Sequence, residues 1–565
     1  MKICFVWVEK FRNFENFGIN LSSDTKFKFD HINNQIINEE ITPLPYNFFG
    51  ERITDVIGII GKNGVGKSNV VEMICKSLKG GKSSLNCDFF IIIKEENIFK
   101  CYYNFKDKSK NISASFNIEF QEYTNSIKSL NVVFFSNVFD EKRLNFDKEI
   151  ADISVNNLHY KKPNFRGNFI TDFEKQLDFI NSKLFTLLGT ELPSSIQIIS
   201  RVFLPIFNSS QAKANYGESY ENIKKFIELF RRRIREIKEE NRFIYLLRFG
   251  FFFEVFNSYA KSKGFRLEFK EIDFFFKSLQ EKNLGTDEIS EKLLDYIEYK
   301  VYRIENEQLE FIVDYDYINQ SESQKDRIIN QISFLRNIKQ LVNQVKISYD
   351  YEGRKNSGFE YYTIDYNENS NDFIRDLVKN FGKSRMIEIK WLGISSGHKA
   401  YLNLFASINH ELKNKRNNNL LLCIDEGDLY LHPKWQIEFF DRLVNTLPQI
   451  YLGNIQLILT SHSPFLLSDL PNQNLVILDK SQEGGILNGI ALKNKTFSGN
   501  LYDLYREPFF LENQVTSEFA YKKLIEIIKD VENKNYKNKS EIINKVDLIG
   551  DDIIRHRLEK ILRDD

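Results

Sequence analysis

The stretch Gly58–Ile74, GIIGKNGVGKSNVVEMI, decides how the rest of the chain is read. Before it, Asp55–Ile60 (DVIGII) is mostly β-branched and apolar, the texture of a buried strand. Gly61-Lys62-Asn63-Gly64-Val65-Gly66-Lys67-Ser68 then fits G-x-x-x-x-G-K-[ST], and Val70, Val71, Ile74 and Leu78 follow at helical spacing. Strand, loop and helix form the setting in which a glycine-rich turn cradles phosphate. Glycines let successive N–H groups converge on phosphate oxygens, and the helix start adds its positive end. The expected nucleotide-contacting set is Gly61, Lys62, Asn63, Gly64, Gly66, Lys67, Ser68 and Asn69. Lys67 would reach the β and γ phosphates of ATP, and Ser68 would hold Mg2+.

A chain of 565 residues is too long for one compact core and predicts two or three domains. Hydrophobic residues at 42% and charged residues at 28% place it among globular proteins. Lys+Arg and Asp+Glu each total 78, so no global field attracts nucleic acid; DNA contact by this chain alone should be weak and local. The densest basic cluster is Arg231, Arg232, Arg233 and Arg235, and nearby Glu236, Glu239 and Glu240 favour a solvated helix face there. The five cysteines form no C-x-x-C pair, which predicts reduced, packed thiols in a cytoplasmic protein and no zinc site. The opening MKICFVWVEKFRNF lacks a signal-peptide pattern, and no segment approaches the ~20 uncharged apolar residues that cross a bilayer. The most apolar run, Phe243–Phe256, carries Arg248 and Glu254 inside it. No membrane contact is expected.

Residues 1–150 alternate strand signals with loops, and Asn131–Asn137 (NVVFFSN) reads as a buried strand ending in a polar turn. From about 151 the pattern changes to apolar residues at three- and four-residue steps, predicting a compact helical insertion over 151–384. Strand signals return at QVKISYDYEG and GFEYYTIDYN, then at LLLCID, IQLILT and NLVILD. The division expected is 1–150, 151–384, 385–499 and a helical region 500–565.

Three further stretches carry chemistry. In Leu420–Pro433 (LLLCIDEGDLYLHP) a buried strand ends in Asp425 and Glu426. Asp425 is placed to hold the metal shell with Ser68, and Glu426 to polarise an attacking water. In Ile455–Leu467 (IQLILTSHSPFLL) a buried strand ends near His462, which could hydrogen-bond a γ-phosphate. An acidic strand end or a lone histidine is ordinary by itself; their order downstream of a phosphate loop is not. In WLGISSGHKAYLNLFASINHEL, Ser395-Ser396-Gly397 opens a helix and offers hydroxyls and N–H groups to a phosphate.

These elements, in this order, resemble the head domain of ABC-type ATPases of the SMC and RecF group. The resemblance implies an α/β fold: a P-loop ATPase head of mixed β-sheet with flanking helices, a large helical insertion and a helical C-terminal tail. It makes Gly61–Ser68 the Walker A motif, Ser395–Gly397 the signature, Asp425–Glu426 the Walker B motif and His462 the switch histidine. It also places Arg12 near the nucleotide, Asp428 and His432 near a dimer seam, and Asn137 as the Q-loop candidate. The family's signature usually continues with an acidic residue; His398 stands there instead, which predicts slow or tuned hydrolysis. In that family the signature of one subunit caps the γ-phosphate bound to the other, giving a homodimer around two ATP, or a larger oligomer built from it. The segment LHP after the acid pair and the tail Thr496–Leu524 are similar to ATPases of antiphage defence operons, nearest the PtuA type of Septu and of some retrons. That branch implies an HNH-type nuclease as a separate chain and, in retrons, the reverse transcriptase with its msDNA. The residues after His462 read as helices without a D-x-D strand end, and Asp551-Asp552 reads as a helix cap. The nuclease is therefore expected elsewhere than in this chain. A DNA-repair ATPase that binds DNA directly is the alternative reading. A transporter ATPase fits least, because of the large insertion and the DEGDLYLHP segment.

Overall fold

The structure is a computed structural model that describes residues 1–80, 85–107, 112–124, 126–139, 144–160, 170–201, 220–259, 269–306, 318–350, 359–384, 386–413, 415, 418–479, 486–488, 491–506, 517–535 and 538–564. At its centre lies a seven-stranded sheet. In spatial order its strands are Ile150–Asp152, Leu130–Ser136, Asn419–Asp425, Ile455–Thr460, Ile53–Gly61, Leu475–Leu478 and Ile486–Asn488. All neighbours run parallel except the last pair. These strands read in sequence as continuous apolar runs because both faces are covered.

On one face sits the helix Lys67–Leu78. Val70, Val71, Ile74, Cys75 and Leu78 are wholly buried, packed with Ile57, Ile59, Leu421 and Cys423 of the sheet. A second sheet covers the outer side of this helix: Phe14–Asn20, Lys2–Phe11, Phe89–Glu95, Ile98–Asn104 and Glu119–Glu122, antiparallel but for the last pair. The other face of the central sheet is covered by the helices Asp172–Ile180, Ser396–Leu412 and Pro433–Ile450, and this core runs on into the helical part of the chain.

Two buried polar groups join the N-terminal strands to the central sheet. The Gln456 amide accepts from the Ile3 N–H at 2.8 Å and donates to the carbonyls of Ile3 and Leu21, both at 2.8 Å. Asp55, 1% exposed on the strand before the glycine-rich loop, pairs with Lys2 at 2.6 Å. It also accepts from the Ser23 N–H, the Ser23 hydroxyl and the Asn474 amide. Beside it, burial opposes ionisation of Asp24, but Lys2, the Ser22 hydroxyl and Lys94 outweigh it and hold that carboxyl at about 2.

Between 151 and 384 the expected helices are present: Tyr220–Glu236, Glu239–Tyr259, Thr286–Asn306 and Ile318–Gln344 among them. They pack on a four-stranded antiparallel sheet ordered Ile347–Tyr349, Phe359–Asp365, Ser195–Arg201, Ile387–Leu392. Its strand Ser195–Arg201 was not legible as one, because SSIQIIS is short and gains its partners from residues more than 150 positions away. Arg248 is 1% exposed, and its guanidinium is satisfied by the Leu335 carbonyl, the Ser290 hydroxyl and Glu291. Asp551 caps the last helix as read, accepting from the N–H groups of Ile553 and Ile554 at 3.0 Å each. Within Thr496–Leu524, residues 507–516 lie outside the described residues. Among the described residues no helix is long and apolar enough to cross a membrane.

Removing the Asp55 charge breaks a buried ion pair and weakens the hydrogen bonds from Ser23 and Asn474, although Lys2 keeps Asp24 at 3.0 Å. Asp55→Asn is therefore expected to destabilise the protein by about 3 kcal/mol, read as a lower urea midpoint at unchanged slope. Asp24 contributes in the opposite pH direction from a group with a raised pKa. Its share is complete above about pH 4, the ordinary Asp value, and is lost as pH falls toward 2.

Candidate functional site

The strand order decides the site. The strand ending at Thr460 lies between the strand ending at Gly61 and the strand ending at Asp425. Because all three run parallel, their carboxyl ends open into one crevice, and the residues just beyond Thr460 fall between the glycine-rich loop and the acid pair. A cavity of about 280 Å³ there is lined by Asn63, Gly64, Gly66, Lys67, Ser68, Asn69, Glu426 and His462. That is close to the lower bound of about 300 Å³ for small-molecule pockets, a size for a polyphosphate more than for a whole nucleotide.

The loop's curvature requires glycine. Gly66 has φ +107°, and a Cβ on it would lie 2.9 Å from the Phe14 ring. Asn13 braces the loop by donating to the Val65 carbonyl at 3.2 Å and accepting from the Asn69 amide at 2.8 Å. Arg12 is fixed by Asn69 and by an ion pair with the buried Glu72, so its guanidinium is held against the helix and does not line the cavity.

Lys67 Nζ donates to the Gly61 carbonyl at 3.2 Å and lies 2.6 Å from His462 Nε2. The same Nε2 is 3.2 Å from Glu426 Oε1. One nitrogen cannot serve both contacts as a neutral ring: it accepts from Lys67 or donates to Glu426. The His462 hydrogen bond lowers the Glu426 carboxyl, with further help from the charges of His462 and Lys67. Burial lowers the Lys67 ammonium, opposed by Glu426 and Asp425.

Asp425 lies beneath this layer, 2% exposed. Its carboxylate accepts three hydroxyls: Thr460 at 2.6 Å, Ser68 at 2.9 Å and Ser136 at 3.2 Å. Burial still raises its pKa. A desolvated carboxylate beside the Ser68 hydroxyl is a pair of hard oxygen donors, and it fits Mg2+ better than a softer metal.

Other expected residues stand elsewhere. Asn137 is buried, donating its amide to the Gly427 carbonyl at 3.1 Å; it does not line the phosphate-loop cavity. Ser395 caps the helix Ser396–Leu412, accepting from the His398 N–H at 3.1 Å. Ser396 faces a different cavity of about 450 Å³, with Asn137, Lys399 and Tyr430 on its walls. Gly397 lies so close to the chain after the acid pair that a Cβ would sit 2.7 Å from the Tyr430 carbonyl oxygen. His398 is buried edge-on to Trp435, and burial lowers its pKa. His432 caps the helix Pro433–Ile450.

Sequence reasoning missed Ser136, Thr460 as a ligand of Asp425, and the Asn13 brace. The one available signal was position: Ser136, Asp425 and Thr460 are the last residues of parallel strands, and they fall in register side by side.

A family model described as "AAA domain, putative AbiEii toxin, Type IV TA system" matches residues 56–468, well over half of the chain. Three curated relatives are similar over shorter stretches. "Retron Vc95 probable ATPase" of Vibrio cholerae serotype O1 biovar El Tor is 36% identical over 100 residues, 16% of this chain and 18% of the relative. "Retron Ec83 probable ATPase" of Escherichia coli is 30% identical over 152 residues, 26% of each. "Septu protein PtuA" of Bacillus mycoides (strain KBAB4) is 33% identical over 93 residues, 16% of this chain and 12% of the relative. The chain thus spans about a quarter or less of the length of each.

Lys67→Ala removes the cation that faces the cavity. It is expected to weaken ATP binding by about 100-fold or more, roughly 3 kcal/mol, in equilibrium titrations at fixed Mg2+. Unchanged affinity would mean the nucleotide sits elsewhere.

Proposed function

The chain belongs to this family of AAA domains, and on that premise we propose that it is an ATPase of the retron and Septu kind of antiphage defence, in which ATP controls a separate effector. The observation that carries this reading is the convergence of Lys67, Ser68, Glu426 and His462 in one cavity, with Asp425 beneath it. Lys67 and the loop N–H groups would hold the β and γ phosphates. Ser68 and Asp425 would hold Mg2+, which when bound supplies charge neutralisation at the phosphates. Glu426, kept ionised by its neighbours, would orient and polarise the attacking water, and His462 would contact the γ-phosphate. Binding would break the Lys67–His462 contact, since both groups turn to the same phosphate. The site is thus poised to report whether nucleotide is present.

In this reading the head is of the ABC type, made from 1–150 and 385–499, with 151–384 as an insertion. Ser395–Gly397 lies outside the phosphate-loop cavity of its own chain, so the cap on the γ-phosphate would come from a second copy. Two copies related by a two-fold axis then enclose two ATP, and nucleotide contacts that exist only in the closed pair shift the equilibrium toward closure. The effector would be a nuclease chain of the HNH type. The helices Glu518–Glu532, Lys539–Asp547 and Asp552–Asp564 are suited to hold it. They share a small core around Val531, Ile542, Val546 and Leu558 and leave Phe519, Leu548 and Ile553 at 74%, 83% and 82% exposure.

Glu426→Gln keeps the shape and removes the carboxylate. It is expected to bind ATP like the wild type and to hydrolyse it at least about 100-fold more slowly, measured as phosphate release; an unchanged rate would remove Glu426 from the chemistry. Ser396→Arg puts a bulky cation where the neighbour's phosphate would dock. It is expected to bind ATP yet fail to dimerise on ATP and fail in defence, scored together by light scattering and phage plating. A variant that closes and protects fully would refute the capping model.

A further inference from the structure

We propose that Asp428 is a positioning residue for His462, fixing that histidine's loop through Ser461 and tying it to the start of the helix Ser396–Leu412. The proposal rests on the ATPase reading above and adds the link between its two phosphate-facing surfaces. Asp428 is 6% exposed and has no ion pair among the described residues. A buried carboxylate without a cation is costly and calls for a reason. Its partner is the hydroxyl of Ser461, which is wholly buried and donates to it in a short hydrogen bond. A hydroxyl bound to a carboxylate is held more strongly than one bound to a neutral oxygen.

Ser461 immediately precedes His462, and its oxygen also accepts from the Ser463 N–H at 2.8 Å. On the other side of the histidine, the Ser463 hydroxyl donates to Gln436 Oε1 at 2.9 Å, and Gln436 Nε2 donates to the Leu431 carbonyl at 3.1 Å. His462 is therefore pinned on both flanks to one short segment, Asp428–Leu431. That segment is held by its own backbone and by the residues just before it: Glu426 and Tyr430 have φ +49° and +70°, and the Leu429 and Leu431 N–H groups close turns onto the carbonyls of Glu426 and Asp428. Its Tyr430 carbonyl is the atom against which Gly397 is packed. A displacement of the helix start at Gly397 has no slack to absorb it before it reaches Asp428 and, through Ser461, the imidazole that contacts Lys67 and Glu426. The turn transmits between Ser395–Gly397 and His462 within a single chain.

The test compares single-turnover ATP hydrolysis and ATP affinity in the full-length chain. Asp428→Ala is expected to slow turnover at least tenfold while ATP affinity stays within twofold. Asp428→Asn, whose amide oxygen still accepts from Ser461, is expected to recover to within threefold of wild type. In a His462→Ala background, Asp428→Ala should slow turnover no further, because its effect runs through the histidine. A purely structural role predicts instead that the two losses multiply, and that result overturns the proposal. Should Asp428→Ala not fold, Gln436→Ala, at a half-buried position on the second tie, is put through the same His462→Ala comparison with the same two outcomes. If Lys67→Ala fails to impair ATP binding, the ATPase site itself is misplaced. If Lys67→Ala impairs binding but Asp428 and His462 act independently, only the positioning role falls.

Discussion

Asp425 is the group on which the rest of the site depends. It sits where the acid-pair strand ends, almost out of water, and burial alone would drive its carboxyl toward the neutral form. What keeps it in place is a ring of hydroxyls from three other elements: Ser68 at the start of the loop helix, Ser136 at the end of one neighbouring strand and Thr460 at the end of the other. Each bond fixes the end of an element as well as a proton. The carboxylate therefore sets how far the glycine-rich loop, the strand Leu130–Ser136 and the His462 loop can stand from one another. In the proposed mechanism the same carboxylate would hold Mg2+ with Ser68, which would link assembly of the crevice to its chemistry.

A second constraint works from below. Asp55 and Gln456 are buried on the central strands and take partners from the N-terminal segment, at Lys2, Ile3, Leu21 and Ser23, with Asn474 also on Asp55. Buried polar groups tolerate no loss of partner, so the N-terminal hairpin is locked in one register over the helix Lys67–Leu78. Asn13 and Arg12, at the tip of that hairpin, are thereby placed against Asn69 and Glu72, and the loop is braced from outside while Asp425 holds it from within.

The two surfaces that the proposed mechanism needs are physically continuous in one chain. The segment from Asp425 to His432 reaches both cavities: Glu426 lines the one holding Lys67 and His462, and Tyr430 the one facing Ser396. That segment carries two non-glycine residues with left-handed backbone, accepts hydrogen bonds from the side chains of Asn137, Ser461 and Gln436, and packs a carbonyl on Gly397. Its stiffness is what allows a contact made at one surface to be felt at the other.

The sequence by itself determined the local chemistry. Gly61–Ser68 can be read because glycine spacing, a preceding apolar strand and a following helical face are all nearest-neighbour properties. Asp425 and Glu426 can be read because an apolar run must end where two acids begin. The helix caps at Ser395 and Asp551 were equally local. Tertiary structure alone decided what meets what. Nothing in the chain order says that the strand Ile455–Thr460 inserts between the strands bearing the loop and the acids, yet that order puts His462 between Lys67 and Glu426. The role of Ser136 was hidden for the same reason, since its partner lies 289 positions away. So was that of Ser461, an ordinary serine until the fold brings Asp428 to it. The strand Ser195–Arg201 lacks a strong pattern of its own and becomes a strand because Phe359–Asp365 and Ile387–Leu392 supply its hydrogen bonds. Propensity and spacing act over a few residues. Register, strand order and the satisfaction of buried polar groups act across the whole chain, and those interactions bring the glycine-rich loop, the acid pair and the His462 loop to one cavity while Ser395–Gly397 stays at another.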